Sequence, residues 1–283
     1  MEMTDLVGLS LPLVRVIDCL DRGISSMLSP YVFKRLERAK MEIEQERSDQ
    51  NALIAIKEAM TQDMISVAKT SRDRFELQNV AEIYGAAMLE LQNFGPAKLP
   101  SAIPSNEWAA HFYDCAKDCS DDEIRILWSK ILVGEIKSPG KYYKRTLTNL
   151  KQIEKHEAEW FVKLCKYTIE ESIVPEFVLS NGLIPFNEYQ SLVDCGFVNA
   201  NEGNMVISKD SVSPLKLKTI NINLNLLSNS YKLRVLTLTD TGIQICKLVN
   251  TATDETFAEQ FVDVINRSGQ ATAELVKSFE EQS

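Results

Sequence analysis

Three residues at regular helical spacing invite a chemical reading first. His111, Cys115 and Cys119 fall at i, i+4 and i+8 in "WAAHFYDCAKDCSD", along nearly one line of a helix. Soft nitrogen and sulfur ligands of this kind are what Zn²⁺ prefers. Side chains one and two turns apart cannot all reach one ion unless the helix ends, and a fourth ligand, such as Asp114 or Asp118, would have to join them. The competing reading is a core stripe of small thiols beside Trp108 and Phe112, and it outweighs the metal. A Cys–His or Ser–His nucleophile needs a base beside it. Of the two histidines, only His111 could serve, and nothing else marks such a site; His156, in "KQIEKHEAEW", is expected in solvent. Neither G-x-x-x-x-G-K-[ST] nor G-x-G-x-x-G occurs, so those modes of nucleotide binding are not supported. No catalytic residue and no cofactor is assigned.

A second pair of interest is Glu135 and Arg145, on either side of Ser138-Pro139-Gly140. A carboxylate and a guanidinium there could be catalytic. Their neighbours are packing residues, so a structural brace across the turn is favoured, with its value in specificity more than in net stability.

These residues need helices to position them. Ile124, Leu127, Trp128, Ile131 and Leu132 share one face, and Glu135 extends it by a turn. Ser120 with Glu123 reads as a capping box, and Asp121 and Asp122 suit the positive end of the helix dipole. Pro139-Gly140 stops the helix, and a further helix carries Leu147, Leu150 and Ile153. The result is a helical hairpin with Trp128 and Leu132 in its core. Upstream, Leu77, Val80, Ile83, Tyr84, Ala87, Met88 and Leu91 make another apolar stripe, and Ser105 can cap the helix that carries Trp108.

At the N-terminus, Leu9, Leu13, Val16, Ile17, Leu20 and Ile24 recur at helical spacing. This face packs in a core, mediates assembly or meets a membrane. The interspersed Asp18, Asp21, Arg15 and Arg22 lack the basic bias of membrane-surface helices, although the following "KRLERAK" keeps that option open. Ser29-Pro30 then starts a mostly polar helix.

After Glu157 the texture changes. A short helix is expected near Phe186–Asp194, a stop at Cys195-Gly196, and a β-hairpin turning at Asn201–Asn204. "KTININLNL" alternates as a half-buried antiparallel strand, "YKLRVLTL" is another, and Thr239 caps a helix in "TDTGIQICKLV". The segment from Asp254 to Ser283 reads as one amphipathic helix through Phe257, Phe261, Val264, Ile265, Leu275 and Phe279. Residues 171–250 then suggest a winged-helix-like α+β module. Its six basic and seven acidic residues give a net of about −1, and "PFNEYQSLVD" carries no base, which favours protein contact over DNA.

Globally, the chain has 283 residues and a formal net charge of −9, which offers nothing to the general phosphate attraction behind nucleic-acid binding. Six cysteines lie far apart, mostly in apolar helical patterns, and no basic-then-apolar leader precedes them. Reduced thiols in a cytoplasmic protein are expected, with membrane association only on activation.

The stretch "LWSKILVGEIKSPGKYYKRTLTNL" (Leu127–Leu150), with "CSDDEI" before it and Trp108 and Phe112 upstream, resembles a bacterial family of unknown biochemical function. The family's pattern runs S-D-E, L-W, I-L-x-G-E-I, P-G, R-T-L. "GLSLPLVRVIDCLDRGISSMLSP" followed by "RAK", and "RDRFELQNVAEIYGAAMLEL", are similar to it as well, so the resemblance spans most of residues 6–160. Tyr143-Lys144 departs from the small polar residue expected before Arg145. "LTLTDTG" resembles the winged-helix ends of many bacterial proteins. The resemblance implies prophage or mobile-element cargo, near abortive-infection-type proteins, and assigns no catalytic residue.

The expectation is a mainly α protein: an N-terminal long-helix region (1–100), a helical hairpin core (101–170), a winged-helix-like module (171–250) and a C-terminal amphipathic helix (251–283). Its expected role is that of a non-enzymatic interaction protein, sensor or effector in anti-phage defence, acting by homo-oligomeric assembly or through protein partners. The alternatives are a winged-helix DNA-binding regulator and a membrane-acting effector.

Overall fold

The computed structural model describes residues 16, 19, 62, 70–92 and 102–277. The chain forms two compact units, Met1–Lys151 and Gln152–Ser283.

The first unit is helical in its described part. Helix α1 (Ser71–Gln92) begins with a reciprocal cap: Asp73 N donates to Thr70 Oγ1, and Thr70 N donates to Asp73 Oδ2, both at 3.0 Å. Its predicted stripe, from Leu77 to Leu91, is buried throughout. Helix α2 (Asn106–Ala116) is capped by Ser105, whose hydroxyl accepts from Trp108 N. Helix α3 (Asp122–Lys137) is capped by Asp121, not Ser120: the Asp121 carboxylate accepts from Glu123 N and Ile124 N. The next residue along takes the cap because a short carboxylate reaches two orphan amides at once. Helix α4 (Lys144–Gln152) completes the hairpin. The core is aromatic: Phe112 stacks on Trp108 at 5.1 Å and meets Trp128 edge-on at 5.4 Å and Tyr84 edge-on at 5.9 Å.

The second unit mixes helices with two sheets. Helix α5 (Lys155–Cys165) leads to strand β1 (Ile173–Pro175), helix α6 (Phe177–Ser180), helix α7 (Phe186–Asp194) and strand β2 (Gly203–Ser208). Strands β3 (Leu215–Lys216), β4 (Ile220–Leu226) and β5 (Ser230–Thr237) follow, then helices α8 (Asp240–Cys246) and α9 (Glu255–Arg267) and strand β6 (Ala271–Lys277). One antiparallel sheet has the order β1-β5-β2, the other β3-β4-β6.

This arrangement overturns the expected fold class. The described residues are 53% helical and 18% strand, a mixed α/β chain with two small antiparallel sheets, not a mainly α chain with a winged-helix module. Strands β4 and β5 are separated only by residues 227–229, yet they belong to different sheets. Leu227 N donates to Gln270 O and Lys209 N donates to Asn229 O, so each strand end is held by a distant segment. The hairpin expected at Asn201–Asn204 does not close on itself, because Gly203–Ser208 pairs with Ser230–Val235 instead. The single C-terminal helix ends at Arg267. Gly269 takes a left-handed conformation (φ +68°), and Ala271–Lys277 joins β4 as a strand. Asn266 clamps that turn, accepting from Ala273 N at 2.8 Å and donating to Ala273 O at 3.3 Å. The elements that sequence spacing located, α7, β4, β5 and the Thr239-capped α8, lie where expected. What changes is their pairing. Phe177, Phe257 and Phe261 pack together in this unit's core, as do Phe161 and Phe197.

Candidate functional site

The turn between α3 and α4 gathers the predicted hairpin residues. Trp128 and Leu132 are fully buried on α3. One turn beyond Leu132 lies Glu135, only 1% exposed. Its carboxylate accepts from Gly140 N at 2.6 Å and from Tyr142 N at 3.0 Å. Gly140 has φ +87°, a left-handed value that suits glycine and turns the chain after Pro139 so that these amides face the carboxylate. Burial pushes the Glu135 carboxyl upward, opposed by the amides of Gly140, Tyr142 and Lys141. Both carboxylate oxygens are thus taken up by backbone, while Arg145 is exposed on the first turn of α4.

Tyr142 closes the site. Its carbonyl accepts from Trp108 Nε1 at 2.9 Å, tying the turn to α2. Its ring lies over Gly134, where a Cβ would come within 2.7 Å of Tyr142 Cε2. The Tyr142 hydroxyl is buried with no hydrogen-bond partner among the described residues.

His111 and Cys115 do come together. His111 Nε2 lies 3.0 Å from Thr148 Oγ1, 3.3 Å from Lys144 O and 3.7 Å from Cys115 Sγ. Burial pushes the Cys115 thiol up to about 11, against the nearby Lys151 charge, so the thiol is not an activated nucleophile at neutral pH. Cys119 turns away to donate to Asp121 O at 3.7 Å, and burial pushes it up to about 11 as well. Among the described residues no group of three or more His, Cys, Asp or Glu side chains could hold a metal ion. Of the N-terminal face, Val16 is helical and buried; Leu9, Leu13, Ile17, Leu20 and Ile24 lie outside the described residues. No helix among the described residues is long and apolar enough to cross a membrane.

Two clusters escaped sequence reasoning. In the first unit, Lys117 pairs with Glu76 and Asp114, Arg72 with Glu76 and Asp118, and Lys151 with Asp118. Arg125 links Glu82 on α1 to Asp122 on α3. This charged seam ties α1 to α2, α3 and α4. In the second unit, Cys165 and Cys246, the last residues of α5 and α8, are both fully buried, and the Thr168 hydroxyl donates to Cys165 O at 2.9 Å and lies 3.9 Å from Cys246 Sγ. Lys218 Nζ, on a side chain only 6% exposed, donates to Cys246 O at 2.7 Å and Val249 O at 2.9 Å and pairs with Glu171 at 3.3 Å. No periodicity joins residues 165, 218 and 246, so only the composition of this cluster could be read in advance.

Comparison with curated proteins finds no match, and comparison with solved structures finds none either. Residues 69–172, which include α1 to α5 and the whole Glu135 turn, match a family model described as protein of unknown function (DUF2806), so this part of the chain is similar to an uncharacterised family.

Proposed function

We propose that the chain is a non-enzymatic interaction protein that acts by assembly with copies of itself, in the setting of bacterial anti-phage defence. One observation in the first unit carries the assembly reading: Phe75 on α1 and Ile126 on α3 stand 45% and 54% exposed, beside a motif whose ionisable groups are engaged in structure. Glu135 is met by backbone amides and His111 lies against Thr148, while Phe75 and Ile126 are exposed apolar side chains that a partner would bury. The defence setting is supported by the resemblance over residues 6–160 alone. The winged-helix regulator loses its structural frame with the two-sheet fold, and the membrane-acting alternative is weakened by the burial of Val16.

Light scattering on the full-length protein tests the assembly reading. A discrete oligomer is expected, converted to monomer by the paired substitutions Phe75→Ser and Ile126→Ser with unchanged circular dichroism. A wild-type monomer at all concentrations, or an oligomer indifferent to both substitutions, would refute it.

A further inference from the structure

We propose that the outer edge of β2 is a self-pairing surface, at which two copies of this chain join their β1-β5-β2 sheets by running β2 antiparallel to β2. This surface deepens the self-assembly reading above and rests on it, but it belongs to the second unit, so the two fail separately. An open sheet edge invites pairing with another chain unless proline, charge or a covering group blunts it. Two three-stranded sheets have four edges, and three of them are guarded. At β1, Ile173 exchanges backbone bonds with Ile169, and Pro175 has no N–H to offer. At β3, Lys216 O accepts from Glu170 N at 2.8 Å. At β6, the Asn266 carboxamide occupies both backbone groups of Ala273, and Glu274 and Lys277 place charge on the strand.

The fourth edge has no such guard among the described residues. The six residues of β2, "GNMVIS", include no charge and no proline. Its neighbour fixes which groups face outward. Lys209 N donates to Asn229 O, one pair beyond the end of the β2–β5 ladder, and Arg234, opposite Asn204, gives its carbonyl to Glu176 N on the far side of β5. Bonded and non-bonded pairs alternate in an antiparallel ladder. Gly203, Met205 and Ile207 therefore bond to β5, while Asn204, Val206 and Ser208 turn their backbone groups to the outer edge. Val206 is 57% exposed.

The occupant is a second copy because the strand complements itself. With the two-fold axis at Val206, that residue pairs with its own equivalent and Asn204 lies opposite Ser208 of the second copy. On the other face Met205 meets Ile207 of the second copy, so apolar faces apolar on the buried side of both sheets. No like charges meet within the strand. At its ends, Glu202 is already paired with Arg234 and Lys209 is followed by Asp210, so neither end carries unbalanced charge. Six residues a side bury far less than the roughly 1,600 Å² of a free-standing interface. The pairing therefore holds between chains already brought together at Phe75 and Ile126, where the effective concentration is raised.

The full-length Val206→Cys protein is oxidised with copper phenanthroline, alkylated, and mapped by peptide mass. Partners in a bonded antiparallel pair lie about 5.5 Å apart at Cα, within disulfide reach. A covalent dimer joined through position 206 of both chains is expected. Asn204→Cys, whose two copies would stand about 14 Å apart, is expected to give no link at position 204. An oligomer by light scattering that shows no link at position 206, or a link at 204 instead, would overturn the edge pairing, give the edge to another occupant and leave the assembly reading intact. A monomer with no link would refute both. A link that persists in the Phe75→Ser, Ile126→Ser background would keep the edge and overturn the Phe75–Ile126 face. If Val206→Cys loses its circular dichroism, hydrogen exchange on the unaltered protein decides. Slower exchange of the Val206 amide in the oligomer than in the Phe75→Ser, Ile126→Ser monomer is expected, and equal exchange would overturn the pairing.

Discussion

The two units handle buried polar groups in opposite ways. At the α3–α4 turn the first unit satisfies its buried carboxylate locally: Glu135 is met by amides five and seven residues on, and a single longer bond, Trp108 Nε1 to Tyr142 O, ties the turn to α2. The second unit satisfies them across the chain. Lys218 reaches carbonyls 28 and 31 residues away, and Thr219 and Thr253 exchange N–H to hydroxyl bonds at 3.0 Å across 34 residues. A local turn forms with little loop-closure cost, whereas each distant pair needs the surrounding fold already in place. The hairpin turn can therefore be altered one residue at a time, and the second unit should fail as a whole when one close approach is blocked.

The sharpest way to break this contrast is to remove the aromatic centre of the first unit. Trp128→Ala should cost about 3–5 kcal/mol. It would be read from a urea melt followed by Trp108 fluorescence in a Trp160→Phe background, and a midpoint that does not move would mean the Phe112–Trp128 contact is not core. Next comes Gly242→Ala in the second unit. A Cβ there would overlap the backbone carbonyl of Phe197, which cannot rotate away, so a loss of about 3 kcal/mol is expected. Retained wild-type stability by circular dichroism would show that α8 can shift off Phe197.

Smaller effects separate the local brace from the exposed arginine. Glu135→Gln leaves one of the two amides facing an NH₂ group and should cost about 1–3 kcal/mol at neutral pH. Burial raises the folded-state pKa of Glu135, so its protonated form is favoured by folding. The stability this confers is complete below the ordinary glutamate pKa and is lost as pH rises through the raised value. The gap between wild type and Glu135→Gln should thus narrow as pH rises from acid towards neutral, and a gap that widens would reverse the assignment. Smallest is Arg145→Ala, an exposed position expected to change stability by less than about 0.5 kcal/mol. A double-mutant cycle between Glu135 and Arg145 giving coupling near zero fits the amides as the whole brace; strong coupling would show that the ion pair the sequence suggests also braces the turn.

What could be read from the sequence follows the same division. The hairpin was legible because each signal lies within a turn or two: the Ile124–Leu132 stripe, the Pro139-Gly140 stop, the Ser105 cap. Even there, a sequence displays charges and hides the backbone amides of Gly140 and Tyr142 that meet the Glu135 carboxylate. Strands β4 and β5 were recognisable by alternation, but alternation says nothing about which edge pairs with which. His111 and Cys115 met as their i, i+4 spacing requires, while the Cys119 thiol, beyond the end of α2, bonds to a backbone carbonyl instead.

Taken alone, the sequence determined the local elements: helix stripes, caps, the α3–α4 turn and the alternating strands, all governed by contacts within a few residues. The tertiary structure decided what distance conceals. It assigned β4 and β5 to separate sheets, turned residues 271–277 from helix to strand, and brought Thr168, Lys218 and Cys246 together. Periodicity records which face of an element is buried; only packing chooses the surface that buries it.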